Sequence, residues 1–124
     1  MIRYILVALG GMLGAVSRYG LAGWISNATQ GRFPYGTLAV NLLGSFVIGF
    51  FLVLALERFT WSPELRLFLT VGFLGAFTTF STFSYETVEL LREGAYAMAA
   101  VNIGASLFGC LAATFAGIML AKLI

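Results

Sequence analysis

Between Gly72 and Glu86 the chain reads GFLGAFTTFSTFSYE, and within seven positions it carries five hydroxyls, Thr78, Thr79, Ser81, Thr82 and Ser84, interleaved with Phe77, Phe80 and Phe83. The flanking residues are apolar, so these donors lie at membrane depth, where each needs a partner. Hydroxyls and amides can replace the water around a small anion, and an aromatic ring offers it a positive edge. Phe80 and Phe83, three apart and on one helical face, could meet an anion edge-on; core packing is the plainer role for both. Asn41, in GTLAVNLLGSFVIGF, is the one amide of the second apolar stretch, either glue between helices or a donor facing a pore. Gly72, Gly75 and the Thr/Ser run predict a break over Gly75 to Thr79, whose freed carbonyls suit a small cation. The other reading is a continuous helix whose hydroxyls satisfy themselves locally.

The rest of the composition narrows the chemistry. Hydrophobic residues make up 60% of the 124 and charged residues 10%, and the mean hydropathy is +0.98, which places the chain in the all-α integral membrane class. There is no His, and Cys110 is the only cysteine, so a His-based metal site and an intrachain disulfide are excluded. No GxxxxGK[ST] loop and no close carboxylate pair occurs in a span, so hydrolysis and energised pumping lack their parts, and no enzyme is expected. A net charge of +2 with a pI near 9.0 reflects how few charges there are, and no nucleic-acid surface follows from it.

Four spans, about 4–25, 36–56, 65–91 and 95–123, fill the length as a single membrane domain over 1–124. The first is read as a retained helix, with Gly10 and Gly14 forming a GxxxG pair for close packing. Arg18 sits late in it, as an interfacial anchor or as part of an electropositive vestibule. Ser26 to Tyr35 reads as a loop. Pro63 marks the start of the third span, next to an interfacial Trp61. On the fourth, Asn102, Ser106, Cys110 and Thr114 recur every four residues as a mildly polar stripe beside Ala105, Gly109, Ala113 and Gly117. Arg3, Arg58, Arg66 and Lys122 fall at one set of span ends, and Arg32, Arg92 and Arg18 towards the other. That bias is too small to fix orientation, and insertion both ways would permit an antiparallel dimer. Four short helices fill their own middle, so a permeation path needs an oligomer.

The stretches GGMLGAVSRYG, GTLAVNLLGSFVIGF and GFLGAFTTFSTFSYE together resemble the signature segments of the Fluc (CrcB) family of fluoride-specific ion channels, and the resemblance covers all four spans. It implies a four-helix protein with the third helix broken mid-span, assembled in the lipid bilayer of the inner (plasma) membrane as an antiparallel, dual-topology homodimer. It implies passive fluoride efflux from the cytoplasm, which lowers fluoride toxicity. By position, Phe80 and Phe83 become the pore aromatics and Asn41 the pore amide. Ser81, Thr82, Thr79 and Ser106 become path or supporting hydroxyls, and Arg18 a vestibule residue. The backbone carbonyls of Gly75 and Thr78 from two copies become ligands of a structural sodium ion (Na+). The family has Tyr in some members where Asn102 stands, so the fourth-span roles of Asn102 and Cys110 stay open. The competing reading is a proton-coupled four-span transporter of the small multidrug type with Glu86 as its acid.

Overall fold

Four helical segments are long and apolar enough to cross a membrane: Ile2–Thr29, Tyr35–Arg58, Pro63–Arg92 and Tyr96–Leu123. The computed structural model describes all residues, 1–124, and every regular element in it is helical. The first span is one helix, α1 (Ile2–Thr29). It runs four residues beyond the expected boundary, because Ser26 to Thr29 are helical. Thr29 donates from its hydroxyl to the carbonyl of Ile25 at 2.9 Å, and the helix ends only at Gln30, in the left-handed region with φ 39°. Polar residues that read as a turn therefore extend the helix past its apolar part.

The second span is α2 (Tyr35–Val53), whose last turn widens into a π-helix over Leu54–Arg58. The third begins at α3 (Pro63–Arg66), where the Ser62 hydroxyl accepts the N–H of Leu65 and Pro63 takes the first helical position. It continues as a π-helix over Leu67–Leu74 and closes with α4 (Gly75–Phe77). Thr78 and Thr79 are extended, and α5 (Phe80–Arg92) follows with Thr79 as its N-cap. Only two residues leave the helical path, fewer than the Gly75 to Thr79 interval expected. Gly72 and Gly75 stay helical. The fourth span is α6 (Tyr96–Leu123), entered through Gly94 at φ +80°.

Glycines explain how close these helices come. A Cβ on Gly72 would lie 3.1 Å from the Cα of Gly10, and side chains at Gly10 and Gly14 would run into the carbonyl oxygens of Phe68 and Phe73. The GxxxG face of α1 thus seats the π-helical part of the third span backbone to backbone. On the other side, Gly49 faces the carbonyl of Thr114 and Gly117 that of Phe46, so α2 and α6 are joined by a second such seam. Only 21 of the 124 residues are buried, the seam residues Gly10, Gly14, Gly49 and Gly117 among them, while Ile2, Leu9, Val16, Phe108, Leu111 and Phe115 are exposed. A surface so apolar belongs in contact with lipid or with another helical protein.

Candidate functional site

The site is built at the interruption of the third span. Leaving the helix at Thr78 and Thr79 frees backbone groups that lipid cannot satisfy, and each needs a partner from the protein. Asn41 of α2 supplies two. Its Nδ2 donates to the carbonyl of Thr79 at 3.0 Å, and its Oδ1 accepts the N–H of Thr79 at 2.8 Å. Because one atom must donate and the other accept, the pairing fixes the orientation of the amide. Gly44, one turn along α2, leaves room for the Thr78 methyl, which a Cβ at that position would strike.

From the opposite side, Arg18 of α1 donates through Nε to the carbonyl of Ala76 at 3.0 Å. Expected at an interface or a vestibule, Arg18 is half-buried and bound to the end of α4. A charge-assisted bond to an orphan helix carbonyl is among the stronger hydrogen bonds available there. Within the segment, Thr78 donates back to the carbonyl of Leu74 at 3.0 Å. Thr79 accepts the N–H of Thr82 at 3.2 Å and donates to the Thr82 hydroxyl at 3.0 Å, with Ser81 Oγ 3.4 Å away. Ser81 and Thr82 are thus gathered around the N-cap.

Beside the interruption lies a cavity of about 580 Å³. Asn41, Gly75, Thr78, Thr79, Phe80, Phe83 and Ser106 all line it, together with Cys110 and Thr114. The sequence reading named most of these, and the fold brings them to one wall. Ser81, Thr82 and Arg18 are not among its lining residues. The rings of Phe80 and Phe83 have centroids 5.3 Å apart and planes at 52°. Phe80 is 78% exposed, so within one chain it is not a core residue.

The stripe on α6 divides. Asn102, 1% exposed, donates to the Thr87 hydroxyl at 2.9 Å, and Thr87 donates to the carbonyl of Phe83 at 2.7 Å. Asn102 therefore bridges α6 to α5 and does not line the cavity. Thr114 donates to the carbonyl of Ser45 at 3.1 Å. Ser106 differs: its hydroxyl is buried without any hydrogen-bond partner. The apolar part of the wall, with Ile48, Leu107 and Leu111, carries no polar signal that sequence reasoning could have used. The cavity wall holds no ionisable carboxylate or cation, since Glu86 lies apart, in a second cavity of about 230 Å³ with Arg32, Glu89 and Glu93.

The chain is similar to known proteins over nearly all of its length. The profile of the family described as CrcB-like protein, Camphor Resistance (CrcB), matches residues 5–118. A Geobacter metallireducens protein named fluoride-specific ion channel FluC is 50% identical over 122 residues, covering 98% of each chain. Proteins of the same name from Geobacter sulfurreducens and Hahella chejuensis are each 52% identical, over 94% and 95% of this chain and 94% and 93% of their own. With a profile spanning nearly the whole sequence and relatives at half identity from end to end, the chain belongs to the CrcB family of multi-pass membrane proteins.

Proposed function

We propose that this protein is a fluoride-selective ion channel that lets fluoride leave the cytoplasm passively and so lowers its toxicity, and that it is not an enzyme. The observation that carries this reading is the cavity at the interruption, which two phenylalanine rings, one of them largely exposed, line together with neutral polar residues that include Ser106, whose hydroxyl is unpartnered. Ring edges and hydroxyls offer partial positive charge without a formal one, so an anion can be stripped of water there and still leave. Fluoride is the smallest halide and the strongest hydrogen-bond acceptor among them. A narrow path of this kind compensates its dehydration and excludes chloride by size. The relatives' shared name as fluoride-specific channels points the same way.

One chain forms only part of the path. Phe80 and the apolar face of α6 are exposed, and a second copy in the membrane is the partner that would close the cavity against them. The copies associate as an antiparallel, dual-topology homodimer, with the interruption of each third span near the bilayer midplane. At the interruption the carbonyls of Ala76 and Thr79 are taken by Arg18 and Asn41, whereas those of Gly75 and Thr78 receive no side-chain donor. Neutral hard oxygens of this kind fit sodium, and two from each of two copies would hold the ion at the dimer centre, where it ties the broken helices together.

The proton-coupled reading needs its carboxylate beside the aromatic pocket. Glu86 lines the other cavity. The test is fluoride efflux from liposomes containing the purified protein, with a potassium ionophore balancing charge. Fluoride flux without a proton gradient and with negligible chloride flux is expected; flux that requires a proton gradient and vanishes in Glu86→Gln would overturn the channel.

A further inference from the structure

Of the four polar side chains repeating along α6, two are committed: Asn102 to Thr87 and Thr114 to the carbonyl of Ser45. The remaining two, Ser106 and Cys110, line the cavity with Phe80 and Phe83. The Ser106 hydroxyl is buried and unpartnered, its residue only 9% exposed, so that position asks for a ligand from the cavity side. Cys110 is one helical turn further along, on the same face, and is a free, half-buried thiol. It is also the only cysteine of the chain.

We infer that Cys110 is a modification site inside the permeation cavity, open to small, neutral thiol-reactive electrophiles, and that a group attached there obstructs fluoride flux. The inference rests on the channel reading for its effect on flux, but not for the modification itself. A cavity of about 580 Å³ admits a reagent the size of methyl methanethiosulfonate. The reactive species is the thiolate. The thiol loses its proton to water, and Sγ attacks the divalent sulfur of the reagent, the one bonded to the sulfonyl group. A new S–S bond forms, the bond to the sulfonyl sulfur breaks, and methanesulfinate departs with the electron pair. The product carries a methylthio group projecting from α6 towards the aromatic pair. Dithiothreitol reverses it by thiol–disulfide exchange.

The test uses the full-length protein in liposomes, treated with methyl methanethiosulfonate and divided between intact-mass spectrometry and fluoride efflux. One methylthio group per chain is expected, together with a fall in efflux of about tenfold or more, restored by dithiothreitol. Cys110→Ser and Cys110→Ala should gain no mass, and each should show the same rate, whatever its level, before and after treatment. Failure to label the folded protein under conditions that label the denatured chain would overturn the site. Full labelling with unchanged efflux would overturn its place in the path. Absence of fluoride efflux before treatment would count against the channel reading alone, because the mass measurement still decides whether the thiol is open to the reagent.

Discussion

Asn41 and Thr79, 38 residues apart, form a closed pair in which the side-chain amide of one accepts the N–H and meets the carbonyl of the other. The arrangement reproduces, with a side chain, the two-way exchange that joins backbones in a sheet. It makes Asn41 a fastening for the interruption as well as part of the cavity wall. Asn41→Ala should leave both groups of Thr79 unpaired and destabilise the protein by about 2–4 kcal/mol, on roughly 1–2 per lost partner. Thermal unfolding in detergent checks the stability, and liposome efflux should show fluoride flux lost with it. Normal stability together with abolished flux would mean that the amide serves the ion alone.

The aromatic pair makes the sharpest prediction about the path. Replacing Phe80 or Phe83 by Ile keeps bulk and hydrophobicity but removes the ring edge. Each substitution should reduce fluoride efflux by about two orders of magnitude, a loss of roughly 2–3 kcal/mol in the barrier, while the dimer persists on a sizing column. Unchanged rates in both variants would return the rings to simple packing.

Sodium is expected to act on assembly. Because the carbonyls of Gly75 and Thr78 belong to the backbone, Thr78→Ala should keep the ion, and removal of sodium from the buffer should not be mimicked by that substitution. Purification with N-methylglucamine in place of sodium should lower thermal stability and flux together, and returning sodium should restore both. Chemical cross-linking of the dimer with and without sodium gives the direct measurement.

The seam between α2 and α6 can be tested away from the cavity. Gly117 faces the carbonyl of Phe46, with the Phe50 nitrogen 3.0 Å from where its Cβ would stand. Gly117→Val must push the helices apart and should cost about 1–3 kcal/mol or more. Gly23→Val, with nothing within 4 Å of its Cβ position, should do far less. Equal unfolding temperatures for the two variants would count against the seam.

What the sequence disclosed follows from which forces are local. Hydropathy locates the spans, Pro63 marks a helix start, and the Gly10 and Gly14 spacing announces a close contact, because each depends on neighbours within a turn or two. The partners of the interruption do not. Nothing near Thr79 in the chain points to Asn41, and nothing near Ala76 points to Arg18, since both bonds depend on how distant helices pack. The same limit applies to Asn102, which shares a period with Ser106 and Cys110 yet turns to Thr87. Periodicity places a residue on a face, and only packing decides which neighbour that face meets. The π-helix over Leu67–Leu74 was equally hidden, because it arises where the third span lies on the glycine face of α1.

Asn41 lies in the helix made before the one it fastens. When the third span enters the bilayer during synthesis, the amide that will receive Thr79 is already there, and so is Arg18 for Ala76. Each chain can therefore complete the most polar part of its own backbone from within itself. For the homodimer proposed above, assembly is then an encounter between finished halves in the plane of the membrane.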